Sequence, residues 1–195
     1  MLPLPDVPLS QPRQLPAVWL RPSPGSFKIN FNAAVTQSGK AGFDFIACDC
    51  HGEVLAPACC LFGPVLSPSV AVALCFRWAL GLARNFCFRR VVFEIDCMVL
   101  FEAWNREDDF FVLDSLVVDC RSLISCFDVF NFLFVRQSGN CVADDLSSLS
   151  FSLGEVVWIE EVPHQLIGVV QSNVLASVPP VSFKKKKLRW VLVMG

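Results

Sequence analysis

Charge is scarce in this 195-residue chain: Asp, Glu, Lys and Arg together make up 17% of it, against 54% hydrophobic residues. That balance excludes a wholly disordered chain, which needs high charge and few apolar groups. Excess positive charge is missing too. Sixteen basic side chains against 18 acidic ones give a formal net charge of −2, so tight binding of nucleic acid driven by overall basic character is not expected. No apolar run approaches the roughly 18 residues of a membrane span. The start, MLPLPDVPLSQPRQLP, is broken by prolines and has no basic segment leading into an apolar one, so it does not read as a signal peptide. An intracellular protein, nuclear or cytoplasmic and without membrane contact, is the expectation.

Ten cysteines are present. Without a secretory signal, and with Cys75, Cys87, Cys97, Cys120 and Cys126 inside apolar patterned segments, they read as reduced core residues rather than a disulfide framework. Cys48, Cys50 and His51, with Cys59 and Cys60, come nearest to a metal cluster, but CxC plus CC is a poor match to zinc spacing.

The length suits one domain with tails. Residues 1–25 hold a proline cluster and read as a linker or arm, residues 26–160 as the domain, and residues 161–195 as an irregular tail. That tail carries a basic run, Lys184–Arg189, which reads as a solvated stretch, an import signal or a phosphate contact. Phe27, Ile29 and Phe31 alternate with Lys28, Asn30 and Asn32, a strand with one polar face. Gly42–Ala47 and Glu53–Leu61 read as strands joined by turn chemistry at Asp49, His51 and Gly52. Ser67 caps a helix with Pro68 at its first position, and Val72, Phe76, Ala79 and Ala83 form its buried stripe. A strand over Val91–Ile95, a short helix over Cys97–Trp104, an acidic loop at Glu107–Asp109, a helix over Val112–Phe127, a strand over Val129–Val135 and a helix capped by Asn140 complete the order. This is α/β: a mixed five-stranded sheet, three antiparallel strands followed by parallel ones, with helices on both faces.

If the first and fourth strands are neighbours, Asn32 and Asp96 meet at the sheet surface, where ligands often bind α/β sheets. Asp144, in the first turn of the last helix, is also what a helix dipole favours near an N-terminus.

The segments WLRPSPGSFKINFNAAV, AGFDFIACDCHGEVL, SPSVAVALCFRWALGLA, RRVVFEIDCMVLFEAWN and FLFVRQSGNCVADDLSSLS stand in one order. Together they resemble the plant ribonuclease H-like domain, an RNase H type 1 module of retroelement-derived, reverse-transcriptase-like proteins. The resemblance implies the RNase H-like fold and, for intact members, Mg²⁺-dependent cleavage of the RNA strand in an RNA–DNA hybrid. Four carboxylates then hold two metal ions. Carried over by residue, the first-strand Asp falls on Asn32, the Gly after it on Ala33, and the helix Glu on Val72. Asp96 and Asp144 are the retained carboxylates, and a helper His position falls on Phe134. Two of four ligands are thus replaced, although Glu94 offers a substitute. The expectation is a degenerate nucleic-acid-binding domain that holds Mg²⁺ weakly or not at all. The alternatives are a weakly active hybrid nuclease and a retroelement-derived interaction or relic domain; Phe110 and Phe111 would be its exposed apolar groups, although they read better as an anchor tucking their loop onto the core.

Overall fold

The structure is a computed structural model and describes residues 20–65, 67–106 and 113–159, with 164, 167 and 168. The proline cluster before residue 20, Glu107–Asp109, Phe110, Phe111 and the Lys184–Arg189 run lie outside the described residues.

Among the described residues the strands and α-helices follow in the order β1 (Phe27–Asn30), β2 (Ala33–Val35), β3 (Lys40–Cys48), β4 (Val54–Pro64), α1 (Pro68–Asn85), β5 (Arg90–Ile95), α2 (Met98–Asn105), α3 (Asp114–Leu123), β6 (Val129–Phe134), α4 (Cys141–Leu153) and β7 (Val156–Val157). The sheet runs β6-β5-β1-β3-β4-β7, with β2 paired to β3. The β1–β5 and β5–β6 pairs are parallel and the others antiparallel. This is the mixed sheet expected, with two short additions.

The first addition, β2, comes from a break in the opening strand. At Asn32 the backbone N–H bonds the Asp44 side chain at 3.0 Å, and the Asn32 side-chain oxygen takes the Ala33 N–H at 2.8 Å. Side-chain acceptors thus replace ladder partners, and regular pairing resumes only at Ala33. The second, β7, is a two-residue rung against Ala58 and Cys59.

Local chemistry explains the ends of the elements. Asp49 closes the β3–β4 turn, accepting from the N–H groups of His51 and Glu53, and Gly52 supplies the left-handed backbone there. Ser67 accepts from the Val70 N–H at 3.3 Å and Pro68 opens α1. The helix expected over Val112–Phe127 is shorter, Asp114–Leu123, because the chain tightens into a 3₁₀ turn at Ile124–Cys126 before entering β6.

Two cores lie on opposite faces of the sheet. The larger packs α1, α2 and α3 on one face, around Phe31, Phe76 and Phe93. Phe31 stacks on Phe76 at 5.0 Å, and Phe76 on Phe132 at 4.7 Å. The smaller, Ile46, Cys48, Cys59, Val142 and Leu146, lies under α4 on the other face. There Gly42 lets α4 settle onto the β3 backbone, since a Cβ at Gly42 would collide with the Ser147 carbonyl and the Ser150 hydroxyl.

The described cysteines are free thiols. Burial pushes Cys48, Cys59, Cys60 and Cys120 up to about 12, so they pack as small apolar groups. Cys87 departs from the core reading. It is exposed in the turn that ends α1, with a φ of 58°. Among the described residues no helix is long and apolar enough to cross a membrane.

Candidate functional site

The strand register brings the polar groups together. Along β1, Lys28 and Asn30 lie opposite Cys48 and Ile46 of β3, so they face the α4 side of the sheet. In the parallel pair, Asn30 lies level with Glu94 of β5, which carries Asn32 and Asp96 to the strand ends beyond. The last helix completes the cluster with Asn140 at its N-cap and Asp144 in its first turn.

Asn32 and Asp96 both lie in this cluster, but their contacts differ from a direct meeting of the two. The Asn32 amide nitrogen donates to Asp144 Oδ1, and Gln137 Nε2 donates to Asp144 Oδ2 at 3.3 Å. Asp96 Oδ1 accepts from Asn140 Nδ2 at 2.9 Å. Val72, on the buried stripe of α1, is 5% exposed and packs in the larger core. Phe134 is half-buried, 5.8 Å from the Phe101 ring centre.

Glu94 does not lean toward Asp96. Its Oε1 pairs with Lys28 Nζ at 2.5 Å, with side chains 4% and 5% exposed, and its Oε2 accepts from Asn30 at 3.2 Å. A buried ammonium on the neighbouring strand attracts the carboxylate more strongly than a like-charged neighbour permits.

Sequence reasoning missed Gln137, the donor to Asp144, and misjudged two further residues. Asn140 was expected to cap α4, yet its side chain makes no cap bond. It donates instead to Asp96 and to the Phe31 carbonyl (3.2 Å), and accepts from Asn30 at 3.1 Å. One side chain thereby joins α4 to β1 and β5.

The second is Asp44, the cross-strand neighbour of Asn32. Its backbone N–H bonds the Asn32 carbonyl at 3.1 Å, and its Oδ1 takes the Asn32 N–H. The side chain is fully buried, and its Oδ2 has no hydrogen-bond partner among the described residues. Burial holds the Asp44 carboxyl well above the usual carboxylate range. The Asn32 N–H pulls the other way, and the charges of Asp144 and Asp96 add to the rise. A lone acid within the buried run AGFDFIA was the available signal. Asp144 is raised as well, chiefly by burial. The Gln137 and Asn32 hydrogen bonds oppose that rise, and Asp96 and Asp145 reinforce it.

A family model described as reverse transcriptase-like matches residues 30–150. The chain belongs to the reverse transcriptase-like family. Among curated proteins none matches. Solved structures similar to this family member include RNase H domains. RNase H1 from the archaeon Halobacterium salinarum shares 20% identity at a TM-score of 0.62, covering 66% of this chain and 99% of its own. The N-terminal RNase H domain of a Mycobacterium tuberculosis protein gives 20% and 0.58, covering 66% and 94%. LC11-RNase H1, solved in complex with an RNA/DNA hybrid, gives 16% and 0.55, covering 62% and 92%. These likenesses establish the RNase H-like fold of this reverse transcriptase-like chain.

The residues present do not fit the two-ion centre that the resemblance implies. Val72 offers no ligand atom, and Asn32 turns its N–H toward Asp144 while its oxygen is engaged by Ala33. Among the described residues no three His, Cys, Asp or Glu side chains are gathered so as to hold a metal ion.

Proposed function

We propose that residues 26–160 form an RNase H-like nucleic-acid-binding domain whose hydrolytic centre has decayed. The observation that carries this reading is the state of the polar cluster between β1, β5 and α4. Its retained carboxylates, Asp96 and Asp144, are engaged by Asn140, Asn32 and Gln137, and Val72 is buried apolar surface. Cleavage assisted by two ions needs several carboxylates free to neutralise two dications, and this cluster does not offer them.

Binding of an RNA–DNA hybrid, through its backbone and 2′-hydroxyls rather than base sequence, fits the fold. The electrostatics make it weak. Lys28 is buried against Glu94, Arg77 pairs with Asp119, Arg89 pairs with Asp128, and Arg121 donates to the Trp104 and Arg106 carbonyls. Arg84, Arg90 and Arg136 are exposed, but few phosphate contacts follow from them. Weak affinity is therefore expected, with a salt dependence no steeper than those few contacts give.

The test is cleavage of a labelled RNA–DNA hybrid with Mg²⁺ and, separately, Mn²⁺, beside an Asp96→Asn control. The expected result is no cleavage above the control from folded protein, with salt-sensitive retention of the hybrid. Cleavage that disappears in the control would make this a working nuclease and overturn the reading.

A further inference from the structure

In a metal-dependent centre, divalent ions keep clustered carboxylates from driving the surrounding elements apart. In this chain each retained carboxylate meets an N–H donor of the protein instead. Asp96 receives Asn140, and Asp144 receives Asn32 on one oxygen and Gln137 on the other. Glu94 receives Lys28 and Asn30. An N–H group presents the positive end of its dipole and cannot ligate a cation, so each donor occupies a direction from which an ion would approach. Asn32 cannot simply rotate its amide to offer oxygen to an ion. That rotation would break its bonds to both Asp144 and Ala33 and turn its oxygen against a carboxylate.

Position strengthens the point. Asn140 is 1% exposed, and its one amide contacts Asn30 at the end of β1, Phe31 just after it, and Asp96 just after β5. These bonds fasten the first turn of α4 to two strands at once. The Asn32–Asp144 bond fastens the same turn to the break between β1 and β2.

We infer that amide side chains stand in for divalent ions here: Asn140, Asn32 and Gln137 hold Asp96 and Asp144 and lock α4 onto β1 and β5 in a metal-independent brace. The inference rests on the reading of a decayed centre and deepens it, because it assigns the remaining polar residues a role. It predicts that the folded chain does not respond to divalent ions at all.

The experiment is thermal unfolding of the wild-type chain in EDTA, in millimolar Mg²⁺ and in millimolar Mn²⁺, with amide NMR spectra recorded as Mn²⁺ is added. Unfolding temperatures that agree, with no selective broadening at Asp96 and Asp144, are expected. Asn140→Asp places a carboxylate against Asp96 and should unfold roughly 5 °C or more lower in EDTA, recovering part of that loss in Mg²⁺. Asn140→Ala should also unfold lower, without recovery in Mg²⁺.

A rise in the wild-type unfolding temperature with Mg²⁺ that Asp96→Asn abolishes would overturn the inference. So would an Asn140→Ala chain as stable as the wild type. Should both variants fail to fold, the wild-type metal response still decides. Mg²⁺ binding without hybrid cleavage would overturn the brace and leave the decayed-nuclease reading standing, whereas cleavage would overturn that reading directly.

Discussion

Asp44 gives the sharpest prediction, because replacing it with asparagine keeps the shape and removes one titration. In the folded chain its carboxyl is buried and held well above its ordinary value of 3.8. Between 3.8 and the folded value, the native state therefore keeps a proton that the unfolded chain has already released. Stability is then highest below that window and falls as pH rises through it, with the slope of a single proton, about 1.4 kcal/mol per pH unit. Above the folded value the loss is complete and the slope vanishes.

Asp44→Asn abolishes this contribution. The asparagine oxygen can still accept the Asn32 N–H, and any cost of burying the new NH₂ group is a constant offset. Urea unfolding of both proteins at a series of pH values from weakly acidic to neutral isolates the effect as a difference of slopes. The wild type should lose about 1.4 kcal/mol per pH unit relative to the variant, and then run parallel to it once the folded value is passed. Parallel curves throughout, or a wild type that gains on the variant as pH rises, would refute the assignment of Asp44 as a buried acid held in its neutral form.

The remaining predictions follow from packing and charge. Gly42→Ala puts a Cβ against the Ser147 backbone carbonyl, which cannot swing away; a loss of about 3 kcal/mol or failure to fold is expected in urea unfolding, with α4 the first element to lose protection in hydrogen exchange. Glu94→Gln takes the carboxylate away from the buried Lys28 ammonium and should destabilise by roughly 3 kcal/mol in the same assay, far more than Asp128→Asn at the exposed Arg89 pair. The double change Asn32→Asp with Val72→Glu should lower the unfolding temperature in EDTA and make it rise with Mg²⁺, a response measured by calorimetry; a folded double variant indifferent to Mg²⁺ would show that those positions do not correspond to metal ligands.

Much of the frame was legible because it depends on local pattern. Alternation in Phe27–Asn32, the Ser67–Pro68 start and the Val72, Phe76, Ala79 and Ala83 stripe each predict an element that the structure contains. What escaped depends on long-range choices by polar side chains. Asn140 stands where a cap is expected, but the buried Phe31 carbonyl and Asp96 compete for its amide, and tertiary contacts win. The break that creates β2 was hidden for the same reason, since it needs Asp44, 12 residues away, to take the Asn32 N–H. Glu94 reads as a spare ligand until the register sets it beside Lys28.

Asn32 and Asp44 are coupled physically rather than independent. A carboxylate at position 32 would lie beside both the buried Asp44 and the half-buried Asp144, and three acids so close repel one another unless cations lie between them. With asparagine at 32, the backbone N–H satisfies one oxygen of Asp44 and the side-chain amide satisfies Asp144. The acid on β3 then becomes tolerable without an ion. On the proposed reading of a decayed centre, Val72 fits the same logic from the other side of the sheet: an apolar side chain contributes packing where a glutamate without an ion would bury an uncompensated charge. On this reasoning the two positions should not be additive. Asn32→Asp alone, with Asp44 still present, should be destabilising, and Asp44→Asn made first should reduce that penalty when both chains are unfolded in EDTA.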